Sequence, residues 1–418
     1  MRKWQTLILV WFLCALAVIS AKTQESWGTI AFIGEDGNVY SQKFGDATIY
    51  QLSRDAVTSR PYQWLTWSND GRLAYFCCDL RQSSSVLTKA LVSQDGQQEG
   101  ETVFSGMGEN ILYAAWSPAN CDTDNCRDLA MLVSDVFSGR LRLDVVRQRD
   151  ERSVIATIAQ GSPFYFSWKS DGQQLLFHRN GRAIEVFDMS QLSYVPDFRI
   201  RSMGNFQSPS WSPDGSSIVA AIPLQDASAI ATFGLAGDTI LQDNLRGFLA
   251  FLWSPDGRYL AYRSITNERF GELMVIDALT GALVTRSRID NVLAFFWSPD
   301  SQKLAYITPS DIQGFPTASL LSDTVQNVPL SLSWSTLNLA TGLNRRLADF
   351  IPTYETQYLL SYFDQFAQSH RVWSPDSQHI VFGALNTARN QAEIRILTVE
   401  TAEVDILADG TFGVWSFN

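Results

Sequence analysis

WSPDG stands at 211–215 and returns unchanged at 253–257. Near copies are WSPDS at 297–301 and 373–377, WSNDG at 67–71 and WKSDG at 168–172, with shorter traces WSP at 116–118 and WSFN at 415–418. Between successive phrase tryptophans (Trp67, Trp116, Trp168, Trp211, Trp253, Trp297, Trp373 and Trp415) the intervals are 49, 52, 43, 42, 44, 76 and 42 residues. A period of about 40–45 residues with strand-like contents is the mark of a propeller blade. The unit beginning at Phe248 shows the plan. FLAFLW ends on the indole, SPDG turns the chain, RYLAYRS follows, and after a polar loop come ELMVIDALTG and ALVTRSR. These are four short β-rich segments separated by turn residues.

Turn chemistry accounts for the phrase. The apolar strand ends at a tryptophan large enough to fill the space between neighbouring sheets. Ser-Pro opens a turn because proline presets φ at its first central position, and glycine takes positive φ without steric cost. The carboxylates of Asp214, Asp256, Asp300 and Asp376 are placed to accept backbone N–H groups that the turn leaves unpaired. These residues therefore read as scaffold and not as catalysts. Ser301 and Ser377 replace the glycine, which should strain their turns slightly.

WSPDG followed by an apolar strand (SSIVAAI, RYLAYRS, QKLAYIT, QHIVFGA) resembles the WD40-like "PD40" repeats of the TolB family, also found in propeller domains of prolyl-oligopeptidase-type enzymes. The resemblance runs from about Trp27 to Asn418, with four strong copies and four degenerate ones. It implies an extracytoplasmic β-propeller used as a binding or assembly platform, and it is silent about the ligand. The expected fold is all-β, a single eight-bladed propeller of four-stranded blades. Seven blades is the alternative, should the phrase at Trp116 belong to an insertion. Three strand segments without a phrase follow the first 27 residues, and one strand with its tryptophan ends the chain. Pairing these two ends would complete a blade and remove two exposed sheet edges.

The chain opens MRKWQTLILVWFLCALAVISAKTQES, with Arg2 and Lys3 ahead of an apolar run and small Ser20 and Ala21 after it. Residues 1–21 read as a secretory signal peptide or, if uncleaved, as an N-terminal anchor just long enough to span a bilayer. An extracytoplasmic location is expected: secreted, periplasmic or at the cell surface. There, Cys121 and Cys126 in the polar loop NCDTDNC are expected to form a local disulfide. Cys77 and Cys78 are adjacent in an apolar strand and read either as buried thiols or as a strained vicinal pair. The formal net charge of −11 excludes a nucleic-acid backbone as partner, since that needs a Lys/Arg footprint.

The long Trp297–Trp373 interval holds two insertions, 308–328 and 351–371. Both fall on one rim of the ring, opposite the phrase turns. Long loops in a compact fold are functional or covering. The second insertion reads as a helix starting at Pro352-Thr353, with Tyr354, Tyr358, Tyr362 and Phe366 recurring every fourth residue. Such a stripe is expected to dock on the propeller and partly roof its channel. Tyr362, Asp364, His370, Arg371 and Arg389 are the candidate contact residues. The chain has three histidines, no spacing typical of a metal site, and no G-x-S-x-G nucleophile elbow. No cofactor or metal is expected, nor is catalysis. The leading expectation is a monomeric binding platform for a protein, peptide or glycan on the loop-bearing rim. The rivals are a carbohydrate-active enzyme of polysaccharide-lyase type with its site in the axial channel, and a membrane-tethered sensor domain.

Overall fold

The computed structural model describes residues 28–417 apart from 58–60, 80–86, 120–126, 150–151, 182, 196–206, 235–236, 267–268 and 311–330. The leader, Cys121 and Cys126, and nearly all of the first insertion lie outside the described residues. Cys77 is buried. No described helix is long and apolar enough to cross a membrane.

Each unit folds as an antiparallel meander. Leu65–Trp67, Leu73–Asp79, Leu87–Ser93 and Glu101–Met107 form one sheet in chain order, and the units led by Trp116, Trp168, Trp211, Trp253 and Trp297 repeat it. The innermost strand ends on the phrase tryptophan and is apolar almost throughout, because sheets cover both of its faces. The outermost strand is largely exposed, as in Glu101–Met107 and Leu283–Arg286. Burial thus falls from the axis outward, and the hydrophobic pattern of each strand follows its place in the blade.

The ring has seven blades, not the eight that the phrase count predicts. The described strands form seven hydrogen-bonded sheets, and one of them has six strands, made from both ends of the chain. The cause is a single 12-residue strand, Val404–Trp415. Its first half pairs with Gln391–Thr398, from Leu397↔Val404 to Glu393↔Asp409. Its second half pairs with Thr29–Gly34, from Gly34↔Gly410 to Ile30↔Trp415. The last phrase therefore continues an existing sheet and heads none of its own. Trp415 lies inside that sheet, 1% exposed, with its ring 5.3 Å from that of Phe44.

Neighbouring blades are clasped by the indoles. Nε1 of Trp116, Trp168, Trp297 and Trp373 donates to the carbonyl of Thr66, Ala115, Leu252 and Phe296 at 3.0–3.1 Å. Each acceptor is the residue just before the phrase tryptophan of the preceding blade. A tryptophan here both fills the inter-blade space and satisfies a buried carbonyl.

The phrase turns are closed on themselves. Asp214 Oδ1 accepts from the Ser212 hydroxyl at 2.5 Å and from Ser216 N–H at 3.0 Å. Asp256 and Asp300 do the same with Ser254 and Arg258 N–H and with Ser298 and Gln302 N–H. Asp376 takes the Ser374 hydroxyl and Gln378 N–H. Gly215 and Gly257 carry φ of 69° and 72°, the conformation that the turn demands.

Candidate binding site on the propeller axis

The second insertion enters the channel as a plug. Thr353 caps its first helix, α1 (Tyr354–Ser361), by accepting from Thr356 N–H, and donates its own hydroxyl to the Thr411 carbonyl at 2.7 Å. Thr356 Oγ1 donates to the Gly383 carbonyl at 3.0 Å. A side chain at Gly383 would come within 2.1 Å of the Thr411 carbonyl, so glycine permits this close approach of plug and sheet. The expected tyrosine stripe is broken at Tyr362 (φ −125°, ψ 32°), which ends α1 and precedes the short α2 (Phe363–Phe366). Leu359, Leu360, Phe363 and Phe366 are buried, whereas Tyr354 is 74% exposed.

All seven blades meet the plug. Phe366 packs against Trp64 and Tyr113, with centroids 5.1 and 5.2 Å away. Tyr113 Oη donates to the Gln365 carbonyl at 3.0 Å, and Gln368 bonds the Tyr165 hydroxyl. Ser208 faces the Asp364 carboxylate and favours its charged form. The Arg263 guanidinium stacks over Phe363, which packs on Phe295 at 4.9 Å. Phe412, from the closing sheet, lies 5.9 Å from the His370 ring. Trp64, Tyr113, Tyr165, Ser208 and Phe412 each stand three residues before a phrase tryptophan. That repeat position, overlooked in the sequence, is where the blades grip the plug.

Between the plug and the phrase turns lies an axial cavity of about 420 Å³. The tryptophan of every phrase from Trp67 to Trp373 lines it, one per blade, together with turn prolines and serines. Its floor is the plug segment from Ala367 to Val372, and Phe417 completes the wall. The Arg371 guanidinium carbon sits 3.9 Å from the centre of the Phe417 ring. No carboxylate pairs with Arg371 among the described residues, and burial pushes its side chain down to about 10. His370, 2% exposed, is packed among Trp64, Phe366 and Phe412. Its Nδ1 lies 2.6 Å from Ser369 Oγ, its Nε2 has no hydrogen-bond partner among the described residues, and burial lowers it to about 3.

The sequence-predicted residues thus separate. Asp364, His370 and Arg371 all lie in the plug; of these, His370 and Arg371 border the cavity. Asp364 is half-buried, and its carboxyl is raised by that burial against the opposing pull of Ser208 and Arg263. Tyr362 is half-exposed and stacks on Tyr358 at 5.1 Å. Arg389 is elsewhere, held by Glu393 at 3.1 Å and Asp409 at 3.6 Å in the closing sheet. His178 and His379 are buried in strands, the latter 4.9 Å from Phe44.

No family model matches the chain, and no curated protein matches its sequence. Solved structures match in shape. A eukaryotic initiation factor structure superposes with a TM-score of 0.50 at 11% identity, over 93% of this chain and 98% of that one. The fold of this chain is a β-propeller. TolB from Acinetobacter baumannii matches with a TM-score of 0.40 and 13% identity over 82% of both chains. An oligogalacturonate lyase in complex with manganese matches with a TM-score of 0.44 and 12% identity over 82% of this chain and 86% of that one. At such identities the likeness concerns fold alone, so what the propeller does must be argued from its own residues.

Proposed function

We propose that this TolB-like propeller is a non-enzymatic, extracytoplasmic platform that binds a protein partner at the tryptophan-lined end of its axis. The observation that supports it is the axial cavity, walled by one indole from each blade and floored by the plug. Tryptophan is the side chain most enriched where a partner anchors, because it offers a large rigid apolar surface. The plug occupies the channel beyond, so a partner engages the end of the ring and does not thread it. The basic-then-apolar leader supports the extracytoplasmic placement.

The test is capture from envelope and secreted fractions by immobilised protein, with Ser170→Trp as the blocking variant. Ser170 is exposed, lines the cavity and makes no hydrogen bond to the described residues, so an indole there fills the mouth without opening a turn. Partners retained by wild type and lost by Ser170→Trp, at unchanged melting temperature, are expected. Equal recovery by both would place binding elsewhere, and turnover of uronic-acid polymers by the wild type would make the protein an enzyme.

A further inference from the structure

We infer that the axial cavity receives the C-terminal carboxylate of a partner polypeptide, with Arg371 as its ion-pair partner and the ring of indoles around its last apolar side chains. The inference rests on the protein-binding reading above and adds the chemistry of the ligand.

Arg371 carries it. A guanidinium has five N–H donors and cannot shed its charge, so removing it from water without an acceptor is unfavourable. Two interior guanidiniums are each held by a backbone carbonyl of the protein. Arg127 donates to the Ser117 carbonyl at 2.7 Å and pairs with Asp70 at 3.3 Å. Arg263 donates through two nitrogens to the Leu293 carbonyl. Arg371, half-buried at the cavity wall, makes neither kind of contact with the described residues. Its one described side-chain interaction is with the face of Phe417, 3.9 Å from the ring centre, which engages no N–H donor in a hydrogen bond to the described residues. A planar fork at the wall of a cavity is the donor set that a carboxylate fits bidentately.

The surroundings select how that carboxylate arrives. Indoles and prolines make the walls, so the ligand's body is apolar. Around the mouth, the turns carry a carboxylate in nearly every blade, Asp214 and Asp256 among them, and the whole chain has a formal charge of −11. A segment rich in Asp and Glu would be repelled by this rim. One carboxylate at the end of an apolar segment meets the repulsion once and ends on Arg371, the one Lys or Arg among the described residues that line the cavity. The plug sets the last constraint. A chain passing through the ring would collide with α2, and an internal loop would need room for two strands, whereas a chain end enters a cavity of about 420 Å³ end-on.

The experiment is calorimetric titration of the full chain with an N-acetylated pentapeptide ending in Leu-Phe, as the free acid and as the C-terminal amide. The acid should bind about tenfold or more tightly than the amide, the usual advantage of a hydrogen bond to a charged group. Arg371→Gln should reduce the acid to the affinity of the amide, and Arg371→Lys should keep part of the preference. Raising the salt concentration should narrow the gap. Equal binding of acid and amide, a preference that survives in Arg371→Gln, or no binding of either peptide would overturn the inference. Binding of free phenylpropionate as tight as the peptide acid would make the ligand a small carboxylate and overturn the polypeptide assignment. Ser170→Trp separates the two readings. If it abolishes partner capture while the peptides show no preference for the acid, the axial platform stands and the carboxylate falls. If it leaves capture unchanged, the platform itself fails.

Discussion

Ser301 and Ser377 hold φ of 59° and 60°, the left-handed conformation that Gly215 and Gly257 hold in the two perfect phrases. Strain alone would make them poor replacements. Their hydroxyls, however, accept the backbone N–H of Asp256 and Asp300 at 3.1 Å, each in the turn of the preceding blade. The serine thus trades conformational ease for a bond between blades, a compensation that local turn rules do not contain. His370 sets a second residue-scale balance. Burial in the plug lowers it to about 3, against an ordinary value near 6.5. Between those two values the unfolded chain binds a proton that the folded protein refuses, so stability falls as pH falls through that window. The slope is at most about 1.4 kcal/mol per pH unit for one such group. Asp364, raised by burial, acts in the opposite sense, but it is common to wild type and variant. Urea unfolding at pH 7 and pH 4.5 should therefore show His370→Gln losing about 2–3 kcal/mol less on acidification than wild type. Equal losses would mean that the imidazole is not held neutral.

At the scale of elements, the plug is the departure from simple repetition. Its start was legible, because Thr353 is a good cap and an apolar pattern follows. Its course was not. A four-residue spacing of aromatics is compatible with one continuous helix, but Phe363 and Phe366 must reach different blades, Phe295 on one side and Trp64 with Tyr113 on the other. The break at Tyr362 re-aims the chain to do so. For the same reason Tyr362 is half-exposed, although it lies in register with the buried Phe366. His370 and Arg371 stood out in the sequence as polar residues next to a phrase. The stack of Arg371 on Phe417 depends on two segments that only the closing sheet brings together. Because Phe366 touches aromatic residues of separate blades, Phe366→Ala should destabilise the protein by about 3–5 kcal/mol, in the range of core phenylalanine truncations. Exposed Tyr354→Ala, in the same insertion, should change stability by less than about 0.5 kcal/mol. Comparable denaturation midpoints for the two variants would show that the plug is a lid lying on the ring rather than part of its core.

At the scale of the molecule, the phrase count overstates the blade count because a phrase reports an inner strand ending in tryptophan, and nothing local tells whether that strand opens a new sheet. Trp415 looks like the other seven until its hydrogen bonds are traced. Val404–Trp415 pairs through its first half with Gln391–Thr398 and through its second half with Thr29–Gly34 in one sheet, so ring closure runs through its backbone. An open array of repeats contacts only nearest neighbours and can lose its ends without losing its middle. A closed ring whose ends share one strand has no such freedom. Val414 sits at the joint, 1% exposed and paired with Ala31. Proline there removes a backbone donor from a central strand and displaces a buried side chain, at a cost of about 3 kcal/mol or more. Leu283, 55% exposed in the outermost strand of its blade, provides the contrast. Scanning calorimetry should show Val414→Pro shifting the whole unfolding transition downward as one cooperative event, because opening the joint exposes both flanking sets of strands. Leu283→Pro should leave the main transition near its wild-type temperature, since an outer edge strand contributes little to the ring. Should Val414→Pro instead split the transition and leave part of the protein melting as before, the blades would be stable without closure, and the two-ended sheet would be a consequence of the ring rather than its clasp.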